Sequence, residues 1–262
     1  MSYWYNREER AKIAEAHYES VKEQFSDKVA ECVNKTIIYD DKSFKTTDFK
    51  KPYDYTDISV VDMDTVDAAF KYRDFIPTVL NFASYKNPGG KFIEGSCAQE
   101  ESLCHASILY NVLEQFKDTY YAFNNQHKNK ALYLNRALYS PCVLFKSNSN
   151  FKFFSANVIT CAAPNKIVGQ RYNNVTTAEN YQELIKRIEF ILKIAAEQGA
   201  EVLILGAFGC GVFGQAPIEV ANAFKGFLRN EFNGCFKKVV FAIPDKESYN
   251  YLVFEKTMRN DR

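Results

Sequence analysis

Hydrophobic positions in the first part of the chain repeat at helical spacing in one segment and form short continuous runs in two others. Ala11, Ala14, Val21 and Phe25 recur at roughly helical intervals among charged residues, which predicts a helix over residues 7–25. Residues 35–40 and 57–62 are short apolar runs rich in β-branched side chains and are predicted to be strands. The polar and aromatic segment between these two runs is predicted to be a long loop.

The middle of the chain alternates in the same way. A short helix is predicted to start at Asp64–Thr65 and to end near Tyr72, and the apolar run at residues 77–84 is predicted to be a buried strand. One long helix is then predicted from an apolar face that comprises Leu103, Ala106, Leu109, Leu113 and Phe116. The residues numbered in the 120s are rich in Asn and Lys and are predicted to be a surface loop.

The second half predicts a parallel sheet. Strands are expected at residues 141–145, 151–162, 201–206 and 237–244, with helices after the capping-box pattern of Thr176 and Glu179, after Ala216–Pro217 and at the C-terminus. Strands that alternate with helices indicate a mainly parallel sheet with helices on both faces. No repeat or linker interrupts the pattern, so one domain over residues 1–262 is predicted.

Composition narrows the class of protein. The 33 basic and 32 acidic residues give a net charge of +1, which provides no broad electrostatic footprint for nucleic acid. The seven Cys form no CxxC pair, which argues against a disulfide framework and against a thiolate-rich zinc site. The charged N-terminus does not resemble a signal peptide, and no apolar run is long enough to span a membrane. A cytoplasmic protein is therefore predicted.

Two segments lie where ligands bind in open α/β sheets, at the carboxyl ends of strands. The first is the glycine-rich stretch GAFGCGVFG at residues 206–214, which joins a predicted strand to a predicted helix. Free backbone N–H groups and a helix N-terminus in such a loop favour a phosphate. The alternative is a tight strand-to-helix turn in which the glycines serve packing.

The second segment is NPGGKFIEGSCAQEESLC, in which Gln99, Glu100 and Glu101 open a helix behind a glycine turn. The two Glu either complement the helix dipole or act on a ligand. Most glycoside hydrolases place two carboxyl groups about 5 to 9.5 Å apart on either side of one bond. Successive helical residues project about 100° apart. We therefore expect one Glu to act as acid and then as base, and the other to position the substrate.

These residues resemble the signature of the microbial-type poly(ADP-ribose) glycohydrolases, in which a glycine cluster precedes Gln-Glu-Glu. The stretches REERAKIAEAHYESV, VVDMDTVDAA, VITCAAPN and GAFGCGVFG are also similar, in the same order, so the resemblance covers most of the chain. It implies a three-layer α/β/α macrodomain-like fold with a mixed, mostly parallel sheet. Residues 1–56 would then be an N-terminal extension that packs on the core.

The resemblance also implies roles for individual residues. Glu101 would be the catalytic acid and base, and Glu100 would hold ribose hydroxyls. The remaining substrate-binding residues would be Asn87, Gly89 and Gly90 at the distal ribose and diphosphate, Gly209, Cys210, Gly211 and Val212 at the diphosphate, Phe213 at the ribose, Asp64 at the adenine, and also Gln99 and Lys91. For Asp64, a plain helix N-cap is an equal alternative.

The expected activity is hydrolysis of the ribose–ribose bond of poly(ADP-ribose) from its terminal end, by a monomer without metal or cofactor. Poly(ADP-ribose), or an ADP-ribosylated protein, would be the partner, and neither a membrane nor nucleic acid would be bound directly. Lys91 departs from the family pattern, which has a third glycine there. A macrodomain that binds ADP-ribose without cleaving it, or a hydrolase of another ADP-ribosyl linkage, are the alternatives.

Overall fold

The strands follow the predicted apolar runs closely. A computed structural model describes residues 6–44 and 48–259. The predicted domain of 1–262 and its long N-terminal loop therefore include some residues outside the described ranges, at 1–5, 45–47 and 260–262. Within those ranges the strands are β1 (Ile37–Asp40), β2 (Asp57–Val61), β3 (Thr78–Phe82), β4 (Arg136–Lys146), β5 (Phe153–Cys161), β6 (Val202–Leu205) and β7 (Lys238–Ala242).

Helices connect and cover the strands. They are α1 (Arg7–Gln24), α2 (Ser26–Lys35), α3 (Thr65–Lys71), α4 (Gln99–His105), α5 (Leu109–Glu114), α6 (Ala122–Gln126), α7 (Lys166–Asn173), α8 (Thr177–Glu197), α9 (Pro217–Arg229) and α10 (Tyr249–Arg259). The predicted capping box forms at α8, where the Thr176 Oγ1 accepts the Glu179 N–H at 3.1 Å. Asp64 caps α3 by accepting the Asp67 N–H at 2.9 Å.

The strands form a mixed sheet in the order β1-β4-β5-β3-β6-β7-β2. Strands β5, β3, β6, β7 and β2 are parallel to one another, whereas β4 is antiparallel to both β1 and β5. Because Ala137 pairs with Cys161, the start of β4 lies at the same edge of the sheet as the carboxyl ends of the parallel strands. We call this edge the carboxyl edge.

Two hydrophobic cores lie on opposite faces of the sheet, as a three-layer arrangement requires. Val79 and Val158 face the core formed with α3, α4 and α5, whereas their neighbours Leu80 and Ile159 face the core formed with α8 and α9. This alternation follows from the two-residue period of a strand. The predicted fold class is confirmed.

The predicted long helix from residue 99 to 116 is wrong, because it is broken between α4 and α5. Strand β1 pairs only with residues 136–139 of β4, which leaves backbone groups open further along that edge. The residues between α4 and α5 form hydrogen bonds with these open groups. The Ile108 N–H donates to Leu144 O at 3.1 Å, and the Lys146 N–H donates to Ala106 O at 2.7 Å. Backbone pairing with the sheet thus replaces helical hydrogen bonds.

The predicted surface loop in the 120s is also wrong, since residues 117–126 are helical and partly buried. Asn124 is fully buried, and its Nδ2 donates to Tyr85 O at 2.9 Å while its Oδ1 accepts from Arg136 Nε at 3.1 Å. Asn124 and Asn125 therefore bond to neighbouring segments of the protein. Helices α2 and α7 were not predicted from the sequence.

No helix in the described ranges is long and apolar enough to cross a membrane.

Candidate active site

The segment between β3 and α4 brings two carboxylates beneath a glycine turn. Gly89 and Gly90 both have a φ of +62°, the left-handed region that favours glycine. A Cβ atom on Gly90 would lie 2.6 Å from Glu101 Oε1 and 2.9 Å from Glu100 Oε2. Both carboxylates therefore reach the same point, and they can do so only because residue 90 has no side chain.

Glu101 closes the loop that follows this turn. Its Oε1 accepts the Lys91 N–H and its Oε2 accepts the Ala98 N–H, both at 3.0 Å. The residue is only 6% exposed. Because the two donors lie at opposite ends of the loop, backbone groups fix both oxygens of this carboxylate.

Glu100 points the other way, toward the end of β3. Its Oε2 accepts the Ser84 N–H at 2.7 Å, and its Oε1 accepts from Asn81 Nδ2 at 3.2 Å. Burial raises the pKa of Glu100 to about 8, and the neighbouring charge of Glu101 adds to the increase, while these two hydrogen bonds oppose it. Glu100 therefore holds a proton at neutral pH more readily than an ordinary glutamate.

Gln99 attaches α4 to the sheet. Its Nε2 donates to Leu80 O at 2.9 Å, and its Oε1 accepts the Phe82 N–H at 2.9 Å. Strand β6 pairs with β3 only as far as Val79, so the side-chain amide takes over the ladder where β6 ends. In this arrangement Gln99 fixes the register of α4, and with it the position of both Glu residues.

Helix α1 holds the outer side of the loop at residues 91–98. Arg7 Nε donates to Glu94 O at 2.9 Å, and Arg10 Nε donates to Gly95 O at 2.7 Å. Gly95 has a φ of +78°, and a Cβ atom there would collide with the Arg7 carbonyl oxygen. The N-terminal helix therefore packs directly on the backbone of the loop that carries the glutamate contacts.

The glycine-rich loop at residues 206–214 leaves β6 beside this segment. A Cβ atom on Gly209 would lie 2.7 Å from Ala163 Cβ, and one on Gly214 would lie 2.5 Å from Ile167 Cγ1. These two glycines, whose φ values are +74° and +70°, allow the loop to lie against the segment that follows β5. A Cβ atom on Gly211 would meet nothing within 4 Å, so that position faces open space.

Several N–H groups of this loop are available to a ligand. Among the described residues, no protein acceptor takes the N–H of Gly209, Gly211 or Val212. The Cys210 N–H instead donates to Ala207 O at 3.1 Å inside the loop. Burial raises the pKa of the Cys210 thiol to about 12, so no thiolate competes with an anion here. Free N–H groups on a glycine loop suit a phosphate group.

Two buried amides that the sequence analysis missed support the loop. Gln215 and Asn180 exchange two hydrogen bonds at 2.9 Å, and Gln215 Nε2 also donates to Pro164 O at 2.7 Å. Phe213 is half-buried and packs edge-on against Tyr133 with 6.2 Å between ring centroids. The loop, α8 and the segment after β5 are therefore joined by polar contacts that no single motif reveals.

A cavity of about 410 Å³ opens on the other side of the loop, within the size range of ligand pockets. Its lining includes Asp64, Phe82, Ala207 and Pro244. Asp64 Oδ1 caps α3, and Asp64 Oδ2 accepts from Asn148 Nδ2 at 3.3 Å. Asp64 is thus both a helix cap and a wall of the cavity.

Comparisons with known proteins agree with this geometry. Residues 7–147 match the family model "Microbial-type PARG, catalytic domain". The structure of poly(ADP-ribose) glycohydrolase from Thermomonospora curvata superposes with a TM-score of 0.87 at 29% identity, over 96% of this chain and 100% of that one. The chain belongs to the microbial-type poly(ADP-ribose) glycohydrolase family. A comparison with curated proteins found no match.

Two other glycohydrolase structures contain a ligand. The Thermomonospora curvata enzyme bound to the inhibitor ADP-HPD superposes with a TM-score of 0.84 at 30% identity, over 95% of this chain and 99% of that one. The Deinococcus radiodurans enzyme in complex with ADP-ribose gives 0.82 at 30% identity, over 89% and 98%. The predicted family and the assignment to an enzyme class are confirmed.

The position of Lys91, where the glycohydrolase resemblance expects a third glycine, is accommodated without crowding. Lys91 is not among the residues with positive φ, so its backbone does not require glycine. Its Nζ lies 3.4 Å from Glu94 Oε2, and the side chain is 58% exposed. Its N–H donates to Glu101 Oε1, and any residue except proline supplies that group.

Asn87 is exposed at the start of the turn, where its carbonyl accepts the Gly90 N–H at 3.1 Å. Asn81 and Ser84, which hold Glu100, were not predicted from the sequence. Asn81 had a visible signal, because it is a single amide inside an otherwise apolar strand. Ser84 contributes only its backbone N–H, for which side-chain identity gives no signal.

Proposed function

We propose that the protein hydrolyses the ribose–ribose O-glycosidic bond at the terminal unit of poly(ADP-ribose) and releases ADP-ribose. One observation carries the proposal. Two buried carboxylates, Glu100 and Glu101, converge beneath Gly90 at the carboxyl edge, beside a glycine loop with free N–H groups. The ligands of the two crystallised glycohydrolases support this substrate class.

In the proposed arrangement the diphosphate binds the N–H groups of Gly209, Gly211 and Val212. The adenosine occupies the cavity that Asp64 lines, and the distal ribose reaches the two glutamates past Gly89 and Gly90. The carboxyl edge is where open α/β sheets bind ligands. The two negative phosphates would stabilise positive charge that develops on the ribose.

Glu101 is proposed to be the catalytic acid and then the base. It donates a proton to the departing oxygen as the bond from that oxygen to C1″ breaks, and an oxocarbenium-like ribose forms. The resulting carboxylate then takes a proton from water as the water oxygen bonds to C1″.

Glu100 is proposed to position the ribose hydroxyls. Its backbone and amide donors, Ser84 and Asn81, fix it independently of the loop that holds Glu101. The two carboxylates are adjacent in sequence and lie on the same side of the turn. An acid and a nucleophile on opposite faces of the sugar are therefore not proposed.

The experiment is ADP-ribose release from poly(ADP-ribosyl)ated protein by wild type and by Glu101→Gln. A general acid contributes about 10²–10⁴-fold, so a loss of that size is expected. The matched control is Glu23→Gln, an exposed glutamate of α1. Equal rates for wild type and Glu101→Gln would refute the role of Glu101. Tight ADP-ribose binding without turnover of any conjugate would instead favour a binding module.

We further propose that the enzyme is a cytoplasmic monomer. The seven free thiols support a reducing compartment, in which buried thiols persist as small apolar groups. Cell fractionation tests the location, and light scattering of the purified protein tests the oligomeric state.

A further inference from the structure

Acidic residues are absent from two long stretches of the sequence. Residues 119–178 contain seven Lys or Arg and no Asp or Glu, and residues 75–93 contain two Lys and no Asp or Glu. The whole chain has almost equal numbers of acidic and basic residues, so this distribution is uneven. The balanced net charge therefore conceals a segregation of charge along the chain.

The fold brings parts of both stretches together. Asn125 Nδ2 donates to Lys86 O at 3.0 Å, and Tyr85 OH donates to His127 O at 3.0 Å. Further along, the Asn165 N–H donates to Ala131 O at 2.9 Å, which joins the segment before β4 to the start of α7. We call the exposed side chains along this junction the basic strip: Lys86, His127, Lys128, Lys130, Arg171 and Tyr172.

The cations of the basic strip are available to a partner. Lys86, Lys128, Lys130 and Arg171 form no ion pair with any residue in the described ranges. The acidic neighbour of Lys130 is Glu179, whose carboxylate is already engaged by Thr176. Uncompensated cations at one surface attract an extended anion.

The basic strip also carries stacked rings. Arg136 and His127 both lie close to the Phe123 ring, with the guanidinium 4.1 Å and the imidazole 4.0 Å from its centroid. Two groups at that distance occupy opposite faces, so the exposed His127 ring ends the column. At the other end, Arg171 lies 6.0 Å from the centroid of the Tyr172 ring, which is 70% exposed. Exposed rings with nearby cations are suited to stack on nucleobases.

The order of strands gives the strip its place relative to the reaction. Along the carboxyl edge, the cavity with Asp64 and Pro244 lies at β2 and β7, the glycine loop follows β6, and the glutamates follow β3. A substrate with its adenosine in the cavity and its diphosphate on the loop therefore reaches the glutamates as it runs toward β5 and β4. The basic strip lies just after the end of β5 and just before the start of β4, next along that line.

We propose that the basic strip binds the part of the poly(ADP-ribose) chain beyond the scissile bond. The inference rests on the proposed function for the direction of the substrate. Each further unit of the chain offers two phosphate charges to the lysines and one adenine to His127 or Tyr172. The strip thereby makes the enzyme prefer long chains over single ADP-ribosyl groups.

The test uses a triple variant, Lys86→Gln, Lys128→Gln and Lys130→Gln, in the Glu101→Gln background, so that substrate is not consumed. Its matched control carries Lys12→Gln, Lys71→Gln and Lys152→Gln, which remove the same charge from exposed positions on other elements. Dissociation constants are measured by fluorescence anisotropy for an ADP-ribose octamer and for monomeric ADP-ribose, between 50 and 200 mM salt.

We expect the triple variant to bind the octamer at least about fivefold more weakly at low salt, and to bind the monomer as the control does. The slope of log Kd against log salt should fall by about 2, because each neutralised phosphate on a single strand contributes about 0.7. In the Glu101→Gln protein without the lysine substitutions, His127→Ala should weaken octamer binding by about tenfold. The salt slope should not change, since stacking is not ionic.

Unchanged octamer affinity in the triple variant would overturn the inference, and so would equal weakening for octamer and monomer. Octamer binding that a single-stranded DNA of equal charge displaces equally well would also overturn the assignment to an ADP-ribose chain. Failure of the proposed function has a separate signature. Wild type would then bind the octamer through the strip but hydrolyse neither the octamer nor an ADP-ribose with a small aryl leaving group.

Discussion

Replacement of Glu100 by Gln should make the free energy of unfolding less dependent on pH. The folded-state pKa of Glu100 is about 8, raised from an ordinary value of 4.5 by burial. Below pH 4.5 the residue is protonated in both states, and burial of the neutral carboxyl costs little. Between pH 4.5 and 8 the unfolded chain ionises while the folded protein keeps its proton, so stability falls. Above pH 8 both states are ionised and the loss stays constant.

The size of the loss follows from linkage. Each unit of pKa difference corresponds to about 1.4 kcal/mol, so the shift predicts a loss of about 5 kcal/mol between pH 4 and pH 9. Gln has the shape of the protonated glutamate and cannot ionise. It also requires an acceptor for its Nε2, and the Asn81 amide can provide one, because its Oδ1 has no partner and a flip would present it.

The assay is urea unfolding of wild type and Glu100→Gln at unit steps from pH 5 to pH 9. The difference between the two curves should rise by about 1.4 kcal/mol per pH unit up to about pH 7.5 and level off above pH 8. Glu23→Gln, an exposed residue of α1, is the control for loss of one carboxyl, and its difference curve should stay within about 0.5 kcal/mol. A flat curve for Glu100→Gln would refute the argument, because an exposed carboxyl produces the same result.

Two further substitutions test how the backbone and Gln99 position the two glutamates. Gly90→Ala puts a methyl group against both carboxylates and should lower kcat at least about 100-fold. The control is Gly226→Ala, where a Cβ atom would meet nothing within 4 Å. A normal kcat for Gly90→Ala would contradict the convergence of the two glutamates. Gln99→Leu leaves the Phe82 N–H and the Leu80 carbonyl unpaired, so it should cost about 2–4 kcal/mol in urea unfolding and lower kcat. Gln126→Leu, an exposed residue of α6, is the control, and unchanged stability of Gln99→Leu would contradict the anchoring role of Gln99.

The sequence predicts the sheet well because its strands are apolar on both faces. An apolar run such as residues 77–84 is typical of a buried strand, and the turn residues on either side mark where the strand begins and ends. The capping box at Thr176 was equally readable, because both of its hydrogen bonds are local. The predictions were wrong where the local structure depends on pairing with a segment that is distant in the sequence. The break at Ser107 exists because β1 is too short to cover β4, and no local pattern encodes the length of a partner strand.

The candidate site follows the same division. Its motif residues, Glu100, Glu101 and the glycines, were identifiable because they stand close together in the chain. Their supports were not, since Asn81 and Gln215 bond across distant segments. The roles of Gln99 and Lys91 also depended on three-dimensional contacts. Both residues lie within the motif. Gln99 anchors α4 to the sheet through its side-chain amide, whereas Lys91 donates its backbone N–H to Glu101.

The packing of α1 on Gly95 links local fraying to catalytic competence. Arg7 and Arg10 bond to residues 85 to 87 positions further along the chain, so α1 and the loop at 91–98 form one cooperative unit for partial unfolding. Amide hydrogens of the two segments should therefore exchange at a common rate, faster than those of β3. On warming, the loop would loosen with the helix while the sheet remains intact. Thermal inactivation would then precede the main unfolding transition, and the N-terminal helix would set the working temperature of the enzyme.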